Sequence, residues 1–164
     1  MISEGSAVAE NGYPSYRGSP TIWLATNVPA GTYTISVNYA GAVDLYGSIS
    51  VVETSPISYD SQTTASGNGT TPSTGSISVP ANSITFACFH ISPNDGNIGF
   101  SGATSGWTRH ATQNNGNSRT GLVTESNIQS SATSISETLT ITAVSAPWSI
   151  AIGKFIDNSG PVIS

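Results

Sequence analysis

The sequence predicts an all-β protein, an antiparallel β-sandwich of jelly-roll or immunoglobulin-like type with minimal helix. Three observations carry that expectation. Apolar and polar residues alternate at period two in several short segments, turn-forming Gly, Pro, Asn and Asp separate those segments, and no window shows a 3.6-residue apolar stripe with helix caps. With 164 residues, the chain has the length of one domain and is long enough to bury a core without disulfides.

Taken in order, residues 1–19 contain Gly, Ser, Pro and the tyrosines Tyr13 and Tyr16 without periodicity, and read as an N-terminal arm. Residues 21–26 are the first strand candidate. In residues 32–39, Tyr33, Ile35, Val37 and Tyr39 share one face while Thr32, Thr34, Ser36 and Asn38 share the other. That is the pattern of a half-buried strand with one wet side, entered through the turn Pro29-Ala30-Gly31. Residues 45–54 form the next candidate, and their run Ile49 to Val52 is apolar on both faces, as in a central strand.

Residues 58–74 are almost entirely Ser, Thr, Gly, Asn, Gln and Ala, a composition that predicts a long exposed loop. Strands are then expected over 75–79 and 83–91, the second carrying another two-faced apolar run, Phe86 to Ile91. Asn94-Asp95-Gly96-Asn97 is a hairpin signal because Asp and Gly tolerate positive φ, which would place Ile91 and Phe100 on paired strands. Further strands are expected over 106–111, 119–128, 136–142 and 148–155, and residues 156–164 read as a C-terminal tail. The expected organisation is a single sandwich domain over 20–155 between an arm and a tail.

Charged residues make up only 8% of the chain, so Ser, Thr, Asn and Gly must supply the polar surface, which should be neutral and rich in hydroxyls. Four basic residues, Arg17, Arg109, Arg119 and Lys154, within a net charge of -5 cannot neutralise a run of phosphates. Nucleic acid and anionic membrane surfaces are therefore not expected partners. No apolar run approaches the roughly 20 residues of a membrane-spanning helix, so no membrane insertion is expected. Residues 1–20 show neither the basic start nor the apolar stretch of a signal peptide, although lysis of a host would release a virion protein without one. The expected location is a virion or an extracellular or cell surface.

Several segments together resemble a known module: Ile22-Trp-Leu-Ala-Thr-Asn-Val-Pro-Ala-Gly-Thr-Tyr-Thr-Ile-Ser-Val37, Ile49-Ser-Val-Val-Glu53, Gly106-Trp-Thr108 and Ala146-Pro-Trp-Ser-Ile-Ala-Ile-Gly-Lys-Phe155. The module is a β-sandwich repeated in bacterial surface proteins and encoded in phage structural genes, and the resemblance spans about residues 20–155. It implies no catalytic residues. Modules of this family generally open with further strands before the segment matching Ile22, where this chain has only its arm. The departure implies an incomplete sandwich edge, completed by a strand from another copy or by docking on a larger assembly.

Among residues that carry chemistry, Cys88 is the lone cysteine and lies in an apolar run, where a thiol packs as a small hydrophobe. His90, His110 and Asp95 match no metal-ligand spacing, and the Asn94/Asp95/Asn97 turn lacks the spaced acids of a calcium loop. No metal or cofactor is expected. Glu53, Glu125 and Glu137 fall inside expected strands. Two of them facing one cleft would form a glycosidase-like pair, but a solvent-facing position explains them more simply. Gly67-Asn68-Gly69 lacks the context of a dinucleotide loop, and no nucleophile elbow occurs. No catalytic residue is nominated.

Aromatic side chains carry the alternative reading. Trp148 follows Pro147 at the head of an apolar strand and is expected in the core, as is Trp23. Trp107 borders a polar stretch and is the best candidate for an exposed sugar-stacking ring, with Arg109 and Asn114 as hydrogen-bonding neighbours and Tyr59 at the border of the expected loop. Asn68-Gly69-Thr70 matches a glycosylation sequon but reads as loop. The expected function is that of a non-catalytic structural or assembly protein, a decoration or tail component of a virion or part of an extracellular surface structure. It would self-associate or dock through sandwich edges and terminal arms. The alternative is a carbohydrate-binding or adhesion module.

Overall fold

A computed structural model of the protein describes residues 20–25, 28–36, 50–52, 54, 56–92, 98–114, 121–142 and 145–158. Among these, the strands are β1 (Ile57–Gly69), β2 (Ile77–Val79), β3 (Ser83–Ile91), β4 (Trp107–Asn114), β5 (Gly121–Gln129), β6 (Thr133–Ile135) and β7 (Ala146–Asp157), and no helix occurs. Five strands form one antiparallel sheet in the order β1-β7-β3-β5-β4, and β2 pairs with β6 in a second. The expected all-β sandwich is the observed fold.

Of the central strands β7, β3 and β5, β3 carries the two-faced apolar run expected of a central strand. Alternation along β3 and β7 sends Ala87, Phe89, Ile91, Ile150 and Ile152 to the inner face of the large sheet, joined there by Val123 of β5. Phe89, Ile150 and Val123 are fully buried, and burial of each such side chain contributes roughly 1.5–3 kcal/mol. Cys88, Leu122 and Ala151 point the other way and form a smaller cluster beneath Ile22.

The facing layer is assembled from shorter pieces. Residues 70–74 run against 137–141 through Thr74 N–H to Glu137 O, Leu139 N–H to Pro72 O and Ile141 N–H to Thr70 O, each 2.9 Å. On the other side of 137–142, Ser101 N–H donates to Thr140 O at 2.8 Å and Thr142 N–H to Gly99 O at 3.0 Å. These pieces prolong the β2·β6 pair into a second layer, and their inward residues Ile77, Val79, Leu139, Ile141 and Ile98 close the core.

Several expectations change. The stretch 58–74, expected as a loop, holds the longest strand of the sheet, β1, in register with β7 from Ile57↔Asp157 to Gly69↔Ala146. Its polar composition follows from its edge position, where only Ala65 packs on the core. Phe100 does not pair with Ile91: it bridges to Ile141, while Ile91 lies between Gly121 and Trp148. The turn 94–97 itself lies outside the described residues. Residues 136–142 keep the expected alternation, with Leu139 and Ile141 buried, but form isolated bridges rather than a continuous ladder.

Residues 21–25 and 32–36 are not strands, and Trp23, Tyr33 and Ile35 are each more than half exposed, so the buried face expected for them is absent. Residues 50–52 and 54 are likewise not strand. The last strand continues past the expected boundary of the tail to Asp157. The arm 1–19, the strand halves 37–39 and 45–49, and residues 159–164 lie outside the described residues.

Candidate functional site

Three of the four residues expected to bind glycan lie on β4, and all three bond across to the second layer. Trp107 is 8% exposed, and its indole N–H donates to Ser136 O at 3.0 Å. This overturns its expected place at the surface: the ring fills the sandwich edge and its one polar atom is satisfied by a backbone carbonyl. Arg109 donates from Nη1 to Ser101 O, and Asn114 Nδ2 donates to Ile98 O at 2.6 Å. Tyr59 sits on β1, at the opposite edge of the sheet, with its ring edge-on to Phe155 at 6.2 Å. The four residues therefore form no common surface. The recess beside Tyr59, Gln62, Ile22 and Phe155 measures ≈ 10 Å³, about the room that one water needs.

The histidines are also separated from an acid cluster. His110 Nε2 lies 2.7 Å from Ser126 Oγ on the outer face of the sheet, 6.1 Å from the Phe86 ring, and His90 lies on that same face of β3. Among the described residues, no group of three His, Cys, Asp or Glu side chains converges as metal ligands. Cys88 is buried, and burial pushes its thiol up to about 12, so it carries no nucleophile at neutral pH.

Charge gathers instead inside the sandwich. Glu125 on β5 and Glu137 in the facing layer are both 0% exposed, which reverses the expectation that they face solvent; Glu53 lies outside the described residues. Glu125 Oε1 accepts from Arg109 Nε at 2.7 Å and lies 2.6 Å from Nη2. Glu137 Oε1 accepts the Thr104 backbone N–H at 3.1 Å. Burial first, then the neighbouring Glu137 carboxyl, pushes Glu125 up to about 7 against the opposing pull of Arg109. Fully enclosed, these carboxyls have no space between them for the sugar and water on which a glycosidase pair acts. The sequence held a signal for this burial: Glu125 is in phase with Val123, and Glu137 with Leu139 and Ile141.

The surface feature with the clearest capacity for recognition is an edge. β1 pairs with β7 on one side and, among the described residues, with no strand on the other. Its ladder is interrupted once, between Tyr59 and Ser61, after which residues 61–69 keep unbroken register. Asp60, at that irregularity, is the one charged residue of β1 and no Lys or Pro occurs, so residues 61–69 lack the charge, Pro and bulge that deter another strand. The β4 edge is shorter and its bulge falls mid-strand, between Arg109 and Ala111. Comparison of the chain with protein-family models, curated proteins and solved structures finds no match.

Proposed function

We propose that the chain is a non-catalytic structural domain that assembles into a virion or an extracellular surface structure by pairing strands at the edge of its sandwich. The observation that carries this reading is β1, a long strand with a single charged residue whose outer backbone edge has no strand partner among the described residues. Backbone N–H and C=O groups along such an edge supply affinity for an added strand, and register supplies specificity. A surface poor in charge and rich in hydroxyls suits close packing of many copies, because little ion desolvation opposes contact. The glycan reading loses its support because Trp107 is buried and Tyr59 lies at the other edge.

Proline substitution at Thr63 and Thr64 tests the proposal. Successive N–H groups of a strand point to opposite edges, so one of these two residues donates towards β7 and the other away from it. Proline at the outward-pointing position should abolish assembly while leaving the folded monomer intact. Assembly that survives proline at both positions contradicts the reading.

A further inference from the structure

Two buried carboxyl oxygens in the core lack a donor of the ordinary kind. Arg109 occupies Oε1 of Glu125 and the Thr104 N–H occupies Oε1 of Glu137, whereas Oε2 of each is enclosed without a donor among the described residues. The Glu137 side chain stands close enough to Glu125 to make it hold its proton more tightly. Carboxylates only accept, so donor-less oxygens on two neighbouring carboxyls are satisfied together when one of the groups carries a proton. Charge balance requires the same: the Arg109 guanidinium neutralises one anion, and a second would be buried uncompensated.

We infer that Glu125 and Glu137 together form a proton-binding site whose single proton, shared between the Oε2 atoms, fastens the two layers of the sandwich and releases them when it leaves. Glu125 stands on the large sheet, and Glu137 is tied into the second layer by Thr74, through Thr74 N–H to Glu137 O and Glu137 N–H to Thr74 Oγ1, both 2.9 Å. Loss of the proton leaves two facing anions on opposite layers with one cation between them. The layers separate most easily there, because the bonds of 98–104 and 136–142 to the large sheet pass through Arg109, Trp107 and Asn114.

The other charged and titratable groups of the packed elements are directed elsewhere. Ala87 is the residue opposite Glu125 on β3. His90 and Cys88 of β3 and His110 of β4 lie on the outer face, and Lys154 of β7 reaches out to Ser78 O. The elevated position of Glu125, about 7, accords with a proton that is held in mild acid and leaves through the neutral range.

The test is hydrogen–deuterium exchange of the full chain from about pH 5 to about pH 9, corrected for the intrinsic exchange rate and read in residues 98–104 and 133–142. Protection there should fall about tenfold or more as pH rises through the neutral range. In Glu137→Gln, the amide N–H₂ replaces the shared proton while the carbonyl still accepts from Thr104, and protection should be independent of pH. Protection in the wild-type chain that does not change with pH, or an equal slope in Glu137→Gln, overturns the inference. Infrared spectra of the folded wild-type chain give a second reading that needs no variant. A protonated carboxylic C=O stretch should persist near neutral pH and vanish in alkali, and its absence near pH 6 would refute the shared proton.

Discussion

Gly67 and Trp148 face one another across the β1–β7 ladder, and a β-carbon placed on Gly67 would stand 2.5 Å from the indole of Trp148. The glycine therefore admits the aromatic ring to the sandwich edge. Replacement by valine must displace either the ring or the strand. Gly67→Val should destabilise the fold by about 1–3 kcal/mol, whereas valine at the neighbouring exposed Ser66 should change stability by less than about 0.5 kcal/mol. Urea unfolding midpoints compare the two.

Arg109 and Glu125 form an ion pair of which the carboxyl is buried and the guanidinium partly exposed, so the two members should respond unequally to removal. Arg109→Met leaves the carboxyl pair without a cation and should cost about 3 kcal/mol at mildly alkaline pH. The loss should be smaller near pH 5, where Glu125 is neutral. Adding Glu125→Gln to Arg109→Met should recover most of it, which equilibrium unfolding at the two pH values would show.

The pH dependence of wild-type stability has a definite sign. Glu125 rises from an ordinary value of 4.5 to about 7 in the folded state, so between these values the folded chain binds more protons than the unfolded one. Its contribution is complete below about pH 4.5 and is lost as pH rises through about 7, on the order of 2 kcal/mol. Melting temperature should therefore fall between about pH 5 and about pH 8, and the fall should be much smaller in Glu125→Gln.

Trp107 serves packing in this fold. Trp107→Phe should cost about 1 kcal/mol through the lost bond to Ser136 O, and Trp107→Ala about 3–5 kcal/mol. Thermal melts measure both losses. A sugar-stacking ring would behave oppositely, with binding lost and stability retained.

The elements legible in the sequence were those in which burial leaves a pattern. β3 follows from its two-faced apolar run, β5 and β7 from strand-like composition between turn residues, and the inward phase of Leu139 and Ile141 from alternation. β1 was illegible because an edge strand needs little apolar surface, and its Ser, Thr, Gly and Asn residues are held by β7 rather than by their own propensity. Trp23 and Trp107 exchanged places relative to expectation. Polar neighbours suggested exposure for Trp107, but Ser136 supplies its N–H with an acceptor inside the sandwich. The carboxyl pair was missed because buried acids are rare, although the phase of both glutamates pointed inward.

Cys88 should be a reporter of unfolding. Buried and pushed up to about 12, its thiol should resist iodoacetamide in the native chain and react at the rate of global opening in denaturant. Mass spectrometry of timed samples would show this, and rapid labelling of the native chain would place the thiol outside the core.

The mass of the wild-type chain in solution tests assembly through the sandwich edge most directly. Sedimentation equilibrium over a range of concentrations should give a mass that rises from 16.7 kDa to a multiple of it. A mass that stays at 16.7 kDa at every concentration would contradict the account.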